Sequence, residues 1–294
     1  MLELGTLARG IVASVDDDGA VRYGATRLNA AVLGDAGRAR TQREGAAPIA
    51  HTSWRITHGD AIQRAYAVDD AVVVEIENAS PAAIAVAFSV DGPAPLSLPR
   101  KPGDVRADGA SVFPIPHRTR LRVALANENV DVRALADVDA VVRGWATVLQ
   151  RGPRTELPEP LQTEIDSARA DLLLAPRSKG RRRFLDEIHC ALVQRRRNSV
   201  KLLPGFRSEW LGANIAVHDF DDVSFAVRWH GARPALLWDV PVGRRVTAPA
   251  LDPAFSSTEP QGEALLAEPP AELLAMGRNT VSDGAHIDAP ESFA

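Results

Sequence analysis

Three carboxylates are of the type that acid–base chemistry on a glycosidic bond requires: Asp60 in a His-Gly-Asp turn, Glu209 beside Trp210, and Asp219 just after His218. Such hydrolysis takes two carboxyl groups facing each other across the bond, roughly 5 to 9 Å apart according to mechanism. Chain order does not fix that separation, so none of the three is assigned a catalytic role. Turn and capping chemistry competes for each of them. Trp54, Arg228, His230 and Trp238 are the candidate ligand contacts. An indole stacks on the flat apolar face of a sugar ring, and Arg and His supply donors to its hydroxyls. Trp54 and Trp238 nevertheless occupy alternating positions of apolar runs, where packing competes with recognition.

Other chemistries find less support. Ser, His and Asp are present, but no Gly-x-Ser-x-Gly elbow or phosphate loop accompanies them. Cys190 follows His189 on an expected helix, and adjacent helical residues diverge too far to form a dyad. Asp16, Asp17 and Asp18 lack the spaced oxygens of a calcium loop and read as a turn closed by Gly19. No metal and no cofactor is expected. A basic block runs through Arg177, Lys179, Arg181, Arg182, Arg183, Arg195, Arg196, Arg197, Lys201 and Arg207, against Asp186 and Glu187. It would suit a phosphate-rich partner, but no aromatic interleaving or nucleic-acid motif accompanies it, and a solvated helix face with a basic loop is the favoured account. A net charge of −4 over 294 residues gives no global field for nucleic acid or an anionic membrane. With one cysteine no internal disulfide forms, and the N-terminal MLELGTLARGIVASV lacks the pattern of a secretory signal. No apolar run approaches the roughly 18 to 20 residues of a membrane span. The expectation is a cytoplasmic protein.

The elements that would position these residues follow from periodicity. Residues 1–133 consist of short alternating runs broken by polar turns, which predicts an N-terminal antiparallel β-sandwich. The segment from Arg38 to Ala50 reads as a loop. Trp54 to Val90 reads as a four-strand meander within one sheet, followed by a Pro/Gly loop at 93–109. The runs Ser111–Pro116 and Leu121–Leu125 are expected to close the second sheet. From Asp137 the period changes: Val138, Val141, Val142, Trp145, Val148 and Leu149 form a helical stripe with Asp137 as N-cap and Gly152 past the end. Two further helices, over Leu161–Leu172 and around Phe184–Leu192, complete a central segment at 134–199. In residues 200–268, Val223, Phe225, Val227 and Trp229, a turn at Gly231–Pro234, and Leu236, Trp238 and Val240 predict a hairpin with one buried face in a C-terminal β-module. A mobile tail, 269–294, with a helical stretch at 271–276, ends the chain. The fold class is α+β.

Several phrases carry a resemblance: TrpArgIleThrHisGlyAsp (54–60), GluIleGluAsnAlaSerPro (75–81), ArgThrGluLeuProGluPro (154–160), LeuLeuProGlyPhe (202–206) with GluTrpLeuGly (209–212), ArgTrpHisGlyAlaArgProAlaLeuLeuTrp (228–238) and LeuAspProAlaPheSerSerThrGluPro (251–260). They resemble segments of actinobacterial proteins related to six-hairpin glycosidases of the glucoamylase and glycogen-debranching type. The resemblance implies a glycan-related activity, with β-flanks around an α/α toroid. Twelve toroid helices need roughly 200 residues, far more than 137–199 supplies, so no catalytic residue of that family transfers. The expected function is a non-catalytic glycan- or partner-binding protein built from the β-flanks. The alternatives are a glycoside hydrolase with a shortened helical domain and an interaction protein using the basic block. Expected partners are an oligosaccharide, another protein or a second copy of the chain. Nucleic acid and membrane are disfavoured.

Overall fold

The computed structural model describes residues 1–270, so all but the first two residues of the tail expected at 269–294, including its helical stretch at 271–276, lie outside the described residues. Thirteen strands precede the first helix: β1 (Leu2–Thr6), β2 (Gly10–Val15), β3 (Val21–Tyr23), β4 (Thr26–Val32), β5 (Arg40–Arg43), β6 (Ala50–Ile56), β7 (Gly59–Val68), β8 (Ala71–Asn78), β9 (Ile84–Asp91), β10 (Leu96–Ser97), β11 (Asp104–Val105), β12 (Ser111–Ile115) and β13 (Arg120–Leu125). They form a seven-stranded sheet, β1-β2-β3-β4-β9-β12-β11, and a six-stranded sheet, β10-β13-β8-β7-β6-β5. All their pairings are antiparallel. The helices α1 (Val138–Leu149), α2 (Leu161–Leu174) and α3 (Lys179–Leu192) follow, with β14 (Arg154–Glu156) between the first two. The remaining strands are β15 (Val193–Arg196), β16 (Ser199–Leu202), β17 (Ile215–Phe220), β18 (Val223–His230), β19 (Arg233–Asp239), β20 (Arg245–Ala248), β21 (Asp252–Ser257) and β22 (Gln261–Leu265). The architecture is α+β, with sheets at both ends of the chain and three helices in the middle.

The chain divides into two compact units. One comprises Met1–Leu149 with Asp166–Arg181, and the other Gln150–Ile165 with the described residues from Arg182 on, so the chain passes between them within α2 and again within α3.

In the first unit the two sheets bury an apolar layer between them. Leu4, Val15, Leu28, Val86, Phe88 and Phe113 come from one sheet, and Trp54, Val72, Val74, Ile76, Val123 and Leu125 from the other. Each large side chain so buried contributes about 1.5 to 3 kcal/mol. The expected single-sheet meander is corrected here. Strands β6, β7 and β8 are neighbours, but β9 crosses to the other sheet and lies between β4 and β12. The corner is held by Asn78, whose buried amide donates to the carbonyls of Ala82 at 2.7 Å and Ile115 at 3.0 Å, while its oxygen accepts from the amide and hydroxyl of Ser80. A Cβ on Gly59 would lie 2.7 Å from the Ser80 Cα, so only glycine lets the β6–β7 turn close against this corner. The runs expected to close one sheet together are also separated, β12 joining β9 and β13 joining β8. The expected loop at 38–50 contains the edge strand β5, paired to β6 from Arg40↔Ser53 to Arg43↔Ala50. Two short strands, β10 and β11, also stand inside the expected Pro/Gly loop.

The outer surface of the six-stranded sheet is partly covered. Val138, Trp145 and Leu149 of α1, with Ala170 and Leu174 of α2, pack on Tyr66 and Val73. Asp137 caps α1 as its spacing predicts, its Oδ1 accepting from the Ala140 amide at 2.7 Å. Arg169 closes the other end by donating to the Leu149 carbonyl at 2.7 Å. An ion pair, Arg43–Asp171 at 2.5 Å, ties α2 to the edge strand.

The second unit contains a five-stranded sheet, β14-β17-β18-β19-β22, and a four-stranded one, β15-β16-β20-β21. The hairpin expected at 223–240 is present as β18–β19, with Phe225 opposite Trp238 and Val227 opposite Leu236. Trp229 is only half-buried and donates its indole N–H to the Ala213 carbonyl at 2.8 Å. The module expected to be antiparallel contains one parallel pairing among the described strands, β16 with β20. The Leu-Leu-Pro-Gly phrase docks on the end of α3: the amides of Leu203 and Gly205 donate to the carbonyls of Leu192 and Ala191, at 2.7 and 3.0 Å.

Candidate functional site

The free edge of the six-stranded sheet carries a cleft of about 860 Å³, lined by Arg38, Arg40, Thr41, Ser53, Arg55, Asp60 and Asp17, with Gly37 and Ala39. A β-bridge from Ala36 to Ile56 and a hydrogen bond from the Gly37 amide to the Arg55 carbonyl, 2.7 Å, bring residues 36–38 alongside β6. Register then places Arg40 opposite Ser53 and Arg55 opposite Asp60. Arg55 Nη1 donates to both Asp60 oxygens at 3.1 Å. Asp17 Oδ1 accepts from the N-terminal amine at 3.3 Å. Arg38 and Arg40 are exposed and make no side-chain hydrogen bond or ion pair among the described residues. The lining thus offers two guanidinium groups without an ion-pair partner among the described residues, one Arg–Asp pair, the Asp17 carboxylate beside the N-terminal amine, and two hydroxyls, and no aromatic ring. Such a set suits a polar ligand bearing carboxylate or phosphate groups, because guanidinium binds these two oxygens at a time.

Further along the same outer face the charges are closed on one another. Arg64 bonds Glu44 at 3.0 Å and Glu77 at 2.9 Å, Arg120 reaches Glu77 at 3.2 Å and Glu75 at 3.3 Å, and Arg122 lies 3.7 Å from Glu75. Glu75 is only 3% exposed. Burial raises its pKa above the ordinary carboxylate value, an effect that Arg120, Arg122 and Arg64 offset only in part. Tyr66 is fully buried next to this ladder, and burial pushes its phenol up to about 12.

The candidate residues read from the sequence are dispersed. Asp60 belongs to the edge cleft of the first unit, bound to Arg55, whereas Glu209 and Asp219 belong to the second unit. Glu209 sits in a 3₁₀ turn and pairs with Arg207 at 3.4 Å. Asp219 adopts a left-handed backbone in an irregular stretch of β17, its amide donating to Ser224 Oγ at 3.0 Å. Trp54 and Trp238 are corrected as ligand contacts. Trp54 is 7% exposed in the inter-sheet core. Trp238 is 6% exposed, lies edge-on to Phe255, and gives its indole N–H to the Glu259 carbonyl at 3.0 Å. A Cβ at Gly262 would stand 2.5 Å from the Trp238 ring, so that ring also occupies the space above β22. Both indoles are thus almost wholly buried, Trp238 reaching only the wall of a shallow pocket of about 220 Å³ that it shares with His218 and Ser224. Arg228 is half-buried and His230 exposed at the hairpin end. Arg228 joins a group that the sequence did not suggest: Glu156 on β14 lies 3.5 Å from Arg228 and 3.4 Å from His218.

Four residues of the basic block are matched by carboxylates. Arg181 pairs with Asp171, Arg183 with Glu187, Arg195 with Asp221, and Arg207 with Glu209 while lying over the Trp210 ring. Cys190 is exposed, and the His189 ring stacks at 4.4 Å on Phe220. Among the described residues no group of three or more potential ligands is arranged to hold a metal, and no helix is long and apolar enough to cross a membrane. Searches against protein families, curated proteins and solved structures find no match for this chain.

The residues that sequence reasoning missed are Arg38, Arg40 and Glu156. Both arginines lie where no alternation announces a strand, and an edge strand needs none, because one ladder of backbone hydrogen bonds suffices to hold it. Arg228 and His218 share the outward parity of β18 and β17, which alternation does predict. Their partner Glu156 comes from a three-residue strand too short to show a period.

Proposed function

We propose that the chain is a non-catalytic binding protein whose first unit takes an acidic oligosaccharide in the edge cleft. The observation that supports this reading is the pair of uncompensated guanidinium groups, Arg38 and Arg40, in a cleft of about 860 Å³ that also offers Thr41, Ser53 and the Arg55–Asp60 pair to sugar hydroxyls. Planar polar side chains recognise vicinal hydroxyls and uronate carboxylates without an aromatic platform. The phrase-level resemblance to glycosidase flanks points to the same ligand class. Asp60 is engaged by Arg55, and no second carboxylate of the notional catalytic set belongs to its unit.

Isothermal titration with a short oligogalacturonate and a maltodextrin of equal length tests this. The acidic sugar is expected to bind more tightly, more weakly as salt rises, and about 2- to 30-fold more weakly in an Arg38→Ala/Arg40→Ala double variant, since each charge pair at an exposed site is worth about 0.2 to 1 kcal/mol. Absence of heat with either sugar at millimolar concentration sinks the proposal. Appearance of new reducing ends in the same mixtures would replace it with the hydrolase.

A further inference from the structure

At the opposite side of the six-stranded sheet from the edge cleft, a second pocket of about 430 Å³ lies over β12 and β13. Four arginines, Arg100, Arg120, Arg122 and Arg133, share its lining, and no carboxylate does. The rest of the wall is mostly apolar, with Pro99, Pro114 and Pro116 prominent. We infer that this pocket is a binding site for a small organic anion, with a carboxylate or phosphate head held by the arginines and an apolar body against the prolines.

The guanidinium groups are held in place without being neutralised. Arg100 lies over the Phe113 ring, 5.9 Å from its centroid, and gives Nη2 to the Pro114 carbonyl at 2.8 Å. Arg133 gives Nη2 to the Pro99 carbonyl at 3.3 Å. Arg122 donates Nη2 to the Ala136 carbonyl at 2.6 Å and to the Tyr66 hydroxyl at 3.2 Å, while its buried Nε has no hydrogen-bond partner. Backbone carbonyls fix a guanidinium by one edge and leave its charge and its other donors in place. Arg100 and Arg133 have no ion-pair partner among the described residues, and only Arg120 and Arg122 face Glu75 or Glu77. Arg100 and Arg133 are exposed, so their remaining donors are open to an incoming anion, and the proline walls beside them offer apolar contact to its body. The volume falls within the range of small-molecule sites, about 300 to 1,000 Å³. A pocket of that size admits a small organic acid and excludes a folded partner.

Titration of the intact chain with phenyl phosphate, benzoate and inorganic phosphate tests this. Phenyl phosphate or benzoate is expected to bind at least 10-fold more tightly than inorganic phosphate, and which of the two binds better identifies the head group. An Arg100→Ala/Arg133→Ala variant, altered only at exposed side chains, is expected to lose at least 10-fold in affinity. Arg133→Ala alone serves if the double variant fails to fold. The Arg38→Ala/Arg40→Ala variant should bind these probes unchanged, which separates this site from the edge cleft. Equal affinity for inorganic phosphate, no loss in the Arg100/Arg133 variants, or loss in the Arg38/Arg40 variant would overturn the inference.

Discussion

The middle strands and the edge strands of the six-stranded sheet present the same residue types on one face, with opposite results. Across β7, β8 and β13, three arginines and two carboxylates, with Glu44 from the end of β5, close into a ladder from Glu44 through Arg64, Glu77 and Arg120 to Glu75 and Arg122. Along β5 and β6 and the segment before β5, Arg55 finds Asp60 while Arg38 and Arg40 make no ion pair or side-chain hydrogen bond among the described residues. Arginine density is therefore no guide to a binding site. What distinguishes the regions is whether the donors are already occupied and how much water remains around them. In the ladder, burial makes each missing partner costly; at the edge, solvent makes it nearly free and leaves the charge available to a ligand.

The sharpest way to break this contrast is Glu75→Ala. Removing a carboxylate that is 3% exposed leaves Arg122 and Arg120 without their common partner. A fully buried pair broken in this way costs about 3 to 5 kcal/mol; Arg120 is half exposed, so about 2 to 3 kcal/mol is expected. The shift in urea midpoint measures it. A loss below about 0.5 kcal/mol, the range of ordinary surface changes, would show that the ladder is as dispensable as the edge.

The phenol beside the ladder extends the contrast to alkaline pH. Between the ordinary tyrosine value of 10.0 and about 12, the unfolded chain releases the Tyr66 proton while the folded chain keeps it. The unfolded state then binds fewer protons, so stability falls as pH rises through that window. The loss is on the order of 2 kcal/mol. Tyr66→Phe forfeits the 3.2 Å bond from Arg122 at neutral pH, but its stability should decline less between pH 10 and 12. Parallel declines in urea melts across that range would contradict the assignment.

Acid pH tests the same region with the opposite sign from ordinary carboxylates. Because the folded-state pKa of Glu75 is raised above 4.5, the folded chain binds more protons than the unfolded one between the two values. Stability from this group therefore rises as pH falls through the folded value and is constant below the unfolded one. Asp16 behaves conversely: its hydrogen bond from Arg22 lowers its pKa, and its stabilising contribution is lost as pH falls through that lowered value. Subtracting the Glu75→Gln profile from the wild type isolates the Glu75 term. The wild type should gain on the variant as pH drops toward 4.5, and a difference that shrinks would reverse the assignment.

How much of this was legible in the sequence depends on what each residue's position was required to announce. Alternation at Val72, Val74 and Ile76 announces a half-buried strand, and the helical stripe with Asp137 announces α1, because burial imposes those periods. Alternation does not say which sheet a strand joins, so the crossing of β9 was missed. It depends on Asn78 satisfying two carbonyls distant in sequence. Trp54 and Trp238 were offered as ligand contacts, although their positions in apolar runs carried the packing reading that the structure bears out. The edge cleft and the proline-walled pocket were illegible for a common reason. Each brings together arginines distant in sequence, Arg40 with Arg55 in one and Arg100 with Arg120 and Arg133 in the other, and a pairing register that brings Arg40 opposite Ser53 leaves no trace in local composition.

The smallest expected effect is also the one on which the contrast turns. Arg38→Ala and Arg40→Ala remove exposed side chains that make no hydrogen bond or ion pair among the described residues, so folding stability should change by less than about 0.5 kcal/mol. The cleft would lose both of its uncompensated charges at no structural cost. If the urea midpoint instead drops by an amount comparable to Glu75→Ala, the edge arginines hold the fold and are not free to bind. If it stays constant while oligogalacturonate affinity falls, the distinction holds in both directions: the same side chain on the same sheet is structural where carboxylates enclose it and available for recognition where only water does.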